Sequence, residues 1–295
     1  MPNHAEQLAQ ELNLNVKNVQ GAIELIDQGN TIPFIARYRK EATGSMDDQV
    51  LRDLGDRLEY LRGLDKRKDE VTSSITEQGA MTPELTAALS KAKTLAEVED
   101  IYRPYKQKKK TRASVAIEKG LQPLADLIYA QQTTEGDISE LAAPFVNAEK
   151  GVENSEQALK GAADIIAEMI SDDAELRKWL REFLKNEADI STKQINPEKE
   201  EGRVYEMYAD HSEKIAKIPA HRVLSINRGE KEECLKVGIV EDREAALAKV
   251  KAAHVKGDSI FRGLLEATAE DAYDRLIFPS IEREVRNELT DMAKE

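Results

Sequence analysis

The sequence predicts a mainly α fold: a multi-helix bundle with one long spine helix, a helix-turn-helix-like subdomain and a small β element. Three observations lead there. Charged residues make up 34% of the 295 residues and aromatics only 5%, with 15 glycines and 9 prolines, a balance that favours soluble helices over sheet. The segment 46–78 contains no proline and places Leu51, Leu54, Leu58 and Leu61 at alternating spacings of three and four. Cap and stop residues recur along the chain at helix-length intervals. A hydrophobic content of 40% suffices for a core.

In chain order, Val16, Val19, Ile23 and Ile26 follow Asn13 and Asn15, either of which can cap a helix, and Gly29 is placed to end it. TIPFIARYRK then reads as a short docked helix or turn whose apolar side packs while Arg37, Arg39 and Lys40 face out. Ser45 and Asp48 resemble a capping box opening the spine helix over 46–78, roughly 50 Å long at 1.5 Å per residue. A coiled coil is the rival reading, but the heptad lapses around Asp65 and Lys68, which favours a bundle.

Gly79 stops that helix, Thr82 and Pro83 start the next, and Thr94 with Glu97 supplies another capping box. A helix over 113–119 ends at Gly120, and Pro123 opens one reaching Gln131. Two more are expected at 155–170 and 172–186, and this cluster of short helices together reads as a helix-turn-helix-like unit. Short strands are expected at 190–195 and 235–240, the latter from alternating Leu235, Val237 and Ile239. Helices resume at 242–254 and 259–276, and Pro279 precedes a last charged helix that runs to the final residue, as either a natural C-terminus or a cut at a domain junction would give. Three regions follow: 1–112, helical with the long helix and a basic loop; 113–190, helix-turn-helix-like; and 191–295, helical with short strands.

The net charge of −13 argues against a nucleic-acid partner when taken alone. Its distribution reverses that. Residues 1–112 hold 18 basic and 18 acidic side chains, whereas 113–186 hold 7 against 14 and 187–295 hold 18 against 24. Within the neutral part, RPYKQKKKTR at 103–112 carries six cations and no acid. Arg103, Lys106, Lys108, Lys109, Lys110 and Arg112, with Tyr105, have the ingredients of a phosphate-contacting loop. The competing reading is a solvated basic loop whose tyrosines, Tyr102 and Tyr105, pack inward. Arg37, Arg39 and Lys40 form a second candidate cluster, against ordinary ion pairing in a bundle.

His221, Arg222 and Arg228 could hold phosphate, but Glu230, Glu232 and Glu233 make ion pairs the better account, and Gly229 reads as a helix C-terminal residue. Catalysis has no organising motif: no HExxH, Walker loop or nucleophile elbow is present, and the chain is not expected to be an enzyme or to carry a cofactor. The four histidines lack metal-ligand spacing, so no metal is expected, and Cys234 in an alternating apolar segment reads as a buried core residue. No apolar run approaches the ~20 residues that span a bilayer, and the N-terminal residues lack the features of a signal peptide. No membrane partner is expected, and the location is expected to be cytoplasmic.

Four segments carry a family resemblance: GAIELIDQGNTIPFIARYRKEATGSMDD (21–48), EDIYRPYKQKKKTRASVAIEKGLQPLADLI (99–128), IPAHRVLSINRGEKEE (218–233) and DAYDRLIFPSIEREVRNEL (271–289). In this order they resemble the N-terminal region of the bacterial Tex transcription accessory proteins. The resemblance implies a non-enzymatic, multi-domain cytoplasmic factor. Its helical N-terminal region has a helix-turn-helix-like element and leads toward a ribonuclease-H-like domain, helix-hairpin-helix modules and an RNA-binding OB-fold. This chain corresponds to the first part. RNA or DNA bound without sequence specificity is the expected partner, with RNA polymerase or associated proteins beside it. The alternative is a protein-interaction scaffold that positions downstream RNA-binding domains. The family's RNA-binding OB-fold lies outside these segments, so direct binding by this region does not follow from the resemblance.

Overall fold

Side-chain caps and left-handed glycines cut the chain into helices, and the computed structural model describes residues 3–294. The chain folds as two units, Met1–Tyr102 and Arg103–Glu295. The first holds α1 (His4–Glu11), α2 (Val16–Asp27), α3 (Ile32–Tyr38), α4 (Lys40–Thr43), α5 (Asp48–Glu77), α6 (Pro83–Lys91) and α7 (Leu95–Tyr102). The fold is mainly α, as its composition implies.

The spine helix α5 has 30 residues, about 45 Å at the standard rise. Leu51, Leu54, Leu58 and Leu61 form its buried seam against Leu8, Val19, Leu25 and Ile35 from α1, α2 and α3. Farther along, Leu64, Val71 and Ile75 are also buried, and α6 and α7 pack on this end. The cap is not Ser45. Gly44 and Ser45 both turn left-handed after α4 (φ 64° and 65°), so the chain enters α5 later, and Asp47 Oδ1 accepts from the Val50 N–H at 2.9 Å. Asn15 caps α2 by accepting from the Lys17 N–H at 2.9 Å.

The second unit holds α8 (Arg112–Glu118), α9 (Gln122–Ala130), α10 (Ile138–Ala142), α11 (Ser155–Ser171), α12 (Ala174–Glu187), β1 (Asp189–Gln194), β2 (Asp210–Lys214), α13 (Ala220–Lys231), β3 (Leu235–Val240), α14 (Arg243–His254), α15 (Arg262–Asp271) and α16 (Phe278–Met292). The small sheet has the order β2-β1-β3 and is antiparallel throughout, with Ile190 opposite Glu213 on one side and Ile239 on the other. β2 has no counterpart in the sequence reading. Its residues, DHSEK, bury nothing and form a charged edge strand, so the apolar alternation that announces a strand is missing.

Two further expectations are corrected. Pro279 does not separate two helices. α15 passes into α16 through a π-helical segment, Ala272–Ile277, whose wider turn accommodates the missing proline N–H and the bulk of its ring. Gly229 is not a helix terminus; it lies inside α13, where an added Cβ would meet Leu235 Cδ1 at 2.6 Å and Tyr205 Cδ1 at 2.9 Å. Glycine is required there by the close approach of β3. Cys234 is fully buried, and the last residue of the expected final helix, Glu295, lies outside the described residues.

α12 and α16 are joined by a polar ladder. The Arg177 side chain is fully buried, and its Nη2 donates to Ser280 Oγ and Glu284 Oε1, both at 2.8 Å. Arg181 Nη2 donates to Glu284 Oε2 at 2.8 Å, and Lys185 meets Glu288 at 2.6 Å one turn farther on. Removing one partner of a buried pair strands the other charge. Glu284 is itself partly exposed, and Arg177 keeps Ser280, so Glu284→Ala is expected to cost ~2–3 kcal/mol in urea unfolding; a loss below ~1 kcal/mol would show that the ladder is not needed.

At the N-terminus of α12, the capping residue Asp173 accepts from the Leu176 N–H at 3.0 Å and lies 2.9 Å from His254 Nε2. Tyr129 Oη meets His254 Nδ1 at 2.9 Å. The His254 imidazole, with the Leu176 N–H and against the effect of burial, holds the Asp173 carboxyl below its ordinary value of 3.8. A depressed carboxyl stabilises the fold above its unfolded pKa, and that contribution is lost as pH falls through the folded value. Asp173→Asn retains a capping oxygen and should lose less thermal stability than the parent between about pH 5 and about pH 3. Parallel curves would contradict this.

Candidate nucleic-acid interface

The basic run begins as a 3-10 turn, Arg103–Tyr105, and ends on Arg112, the first residue of α8, whose N-cap is Thr111. Thr111 Oγ1 accepts from the Ser114 N–H at 3.0 Å, while Ser114 Oγ accepts from the Thr111 N–H at 2.8 Å. This reciprocal cap fixes where the run stops. The last turn of α11 then anchors it. Arg103 Nε donates to Asp172 Oδ1 at 2.9 Å, Lys108 Nζ contacts Glu168 Oε1 at 2.8 Å and also Asp172, and Thr111 Oγ1 donates to Glu168 Oε2 at 2.8 Å.

The six cations of the run therefore separate into groups. Arg103 and Lys108 are matched by Glu168 of α11 and by its C-cap Asp172, and Lys106 and Tyr105 have interactions of their own. Lys109, Lys110 and Arg112 are exposed, and none is in an ion pair within 4.0 Å among the described residues. Two of these, Lys110 and Arg112, line a groove of about 440 Å³ between α8 and α11, with Lys119 and Lys160. Its apolar floor includes Val115, Ala116 and Leu121.

The floor depends on Gly161. A Cβ there would sit 2.3 Å from Leu121 Cδ1 and 3.4 Å from Ala116 Cβ, so glycine lets the two helices close on each other. One carboxylate lines the groove, Asp164. Burial raises its pKa, while Arg275 at 3.7 Å, Arg112 and Lys160 act in the opposite direction. The groove thus gathers four cations over an apolar floor, with one acid that Arg275 faces at 3.7 Å. Such a site can hold the phosphates of a chain and exclude water from part of its sugar or base surface.

Sequence reasoning missed Lys119 and Lys160. A signal for Lys119 was available: Arg112, Val115, Ala116 and Lys119 recur at three and four along α8, so they share a face. Lys160 carried no local signal, because only packing brings α11 beside α8.

Arg37, Arg39 and Lys40 belong to the first unit. α3 and α4 leave all three exposed, and Arg39 lies 3.5 Å from Glu41. Beside them Phe34 and Tyr38 are 42% and 60% exposed, their rings 5.3 Å apart and tilted by 47°, with the Arg37 guanidinium 5.9 Å from the Tyr38 ring. The third sequence candidate resolves into ion pairs. Arg222 meets Glu213 at 2.9 Å, Arg228 meets Glu232 at 2.8 Å, and Glu230 pairs with Arg286.

Among the described residues, no group of three or more His, Cys, Asp or Glu side chains is arranged to hold a metal ion. No helix among the described residues is long and apolar enough to cross a membrane.

Comparison with known proteins agrees with the order of the motifs. The Tex-like protein N-terminal domain family matches residues 2–76, and the Tex central region-like family matches 133–295. The chain is 44% identical over 292 residues to YdcI of Bacillus subtilis, covering 98% of this chain and 40% of that one. It is 43% identical over 232 residues to the transcriptional accessory protein Tex of Neisseria gonorrhoeae, covering 79% of this chain and 30% of that one. The human S1 RNA-binding domain-containing protein 1 is 29% identical over 305 residues, covering 97% of this chain and 30% of its own. The chain thus spans 30–40% of the length of these relatives, and two family matches along its length establish that it belongs to the Tex family.

Proposed function

We propose that this chain is the helical N-terminal region of a non-enzymatic transcription accessory factor, and that it contributes sequence-independent nucleic-acid binding through the groove between α8 and α11. One observation carries the reading: in a chain of net charge −13, Lys110, Arg112, Lys119 and Lys160 converge on a single groove. A polyanion is attracted to such a local concentration of charge even where the whole molecule is acidic. The names of the relatives, a transcriptional accessory protein and an S1 RNA-binding domain protein, support a setting in transcription and beside nucleic acid.

The helix-turn-helix-like reading of 113–190 finds support in α11 and α12, which meet at the short turn of Asp172 and Asp173. The arginines of α12 are held by Glu284, so the cations of the groove come instead from the start of α8 and the residue two before it, from the α8 C-cap Lys119, whose Nζ donates to the Gly151 carbonyl at 3.2 Å, and from α11. This favours backbone contact over base reading by a recognition helix.

The test is fluorescence anisotropy with a labelled single-stranded oligonucleotide across a range of salt. Each neutralised phosphate contact contributes about 0.7 to the slope of log affinity against log salt for single strands. Replacing Lys110, Arg112, Lys119 and Lys160 with Gln should reduce the slope by about 2 to 3 while circular dichroism stays unchanged. An unaltered slope would remove the groove from the interface, and an absence of binding by the parent chain would favour the protein-interaction scaffold.

A further inference from the structure

Phe34 and Tyr38 are spent on neither the core nor the basic groove. α3 buries Ile35 and turns Phe34 and Tyr38, one helical turn apart, toward solvent. Aromatic side chains carry a large apolar area, and a pair of them left exposed on one face is a costly arrangement unless something covers it. Together with Gln28, Asn30 and Arg39 they line a shallow, open recess of about 420 Å³.

We propose that this recess stacks an unpaired nucleobase of a single-stranded nucleic acid on Phe34 and Tyr38. The inference rests on the nucleic-acid reading above and adds a strand preference to it. Three features of the site select the ligand. The tilted rings, 5.3 Å apart, do not close on each other as a parallel stack, so a flat ring system can lie against them. Asn30 Nδ2 donates to the Leu25 carbonyl at 2.9 Å, which orients the amide and leaves its Oδ1 to accept from a base edge, while Gln28 is exposed beside it. Arg37, Arg39 and Lys40 then supply charge for the flanking phosphates, with Glu41 offsetting only Arg39.

An apolar peptide would cover the rings but leave these cations unmatched, so charge complementarity favours the nucleic acid. A duplex does not satisfy the recess, because its base faces are already stacked on each other.

The experiment uses the 295-residue chain with a single-stranded oligonucleotide containing 2-aminopurine and with a duplex of the same sequence. The variant is Phe34→Leu with Tyr38→Leu, which keeps apolar bulk at two exposed positions and removes the stacking faces; a thermal melt checks its folding. Single-strand binding should weaken about tenfold, duplex binding should stay within about twofold, the salt slope should hold, and quenching of 2-aminopurine should disappear. Single-strand affinity equal to that of the parent, or an equal loss for both ligands, would overturn the proposal while leaving the groove untouched. Failure of the groove reading has a different signature: the Gln variants of Lys110, Arg112, Lys119 and Lys160 keep their salt slope while the aromatic variant still loses the single strand. A parent chain that binds neither ligand would overturn both readings.

Discussion

The guanidinium of Arg177 has no access to water, and much of the second unit is arranged to satisfy it. A buried cation is tolerated only when its charge and its N–H groups are matched. Ser280 and Glu284 do so from α16, and the Ser171 carbonyl accepts from Nη1 at 3.3 Å at the end of α11. One side chain thereby ties together the end of α11, the start of α12 and the middle of α16. Because Glu284 also receives Arg181, and Glu288 receives Lys185, the register between α12 and α16 is set over three helical turns. A slip by one turn would leave a charge in the core.

That constraint reaches the candidate interface through α11. Its last turn carries Glu168 and its C-cap is Asp172, which together anchor the basic run, and its middle carries Lys160, Gly161 and Asp164, which form one wall of the groove. Arg275, on the π-helical segment, reaches Asp164 at 3.7 Å and Asp271 at 2.7 Å. A break in regular helix geometry before Pro279 therefore sits where it helps to set the charge at the groove. The π segment also places Tyr273, whose hydroxyl donates to Glu241 at 2.8 Å and whose pKa is pushed up by burial and by that carboxylate.

The first unit is organised by a simpler interaction. α5 presents one apolar seam, and the helices around it are positioned by what they bury against it. Short helices cannot persist alone in water and depend on such packing. α3 is an example: Ile35 is seated in the core with Ile32 and Ala36 packed beside it, and the face left to solvent brings Phe34, Tyr38 and Arg37 together.

Local rules made much of this legible. The spacing of Leu51, Leu54, Leu58 and Leu61, the caps at Asn15 and Thr82, and the alternation in Leu235, Val237 and Ile239 each depend on neighbours a few residues away, so a one-dimensional reading finds them. The same holds for the cationic run at 103–112, which is a fact of composition. Tertiary structure alone decided which of those cations are offered outward, because Asp172 and Glu168 lie some sixty residues away in the chain. It also decided that Lys160 joins Arg112 across one groove, that Gly229 serves close packing and not a helix end, and that Arg177 is buried. The physical reason is common to all four: charge pairing, close approach and burial depend on distance in space, and sequence patterns report distance only along the chain.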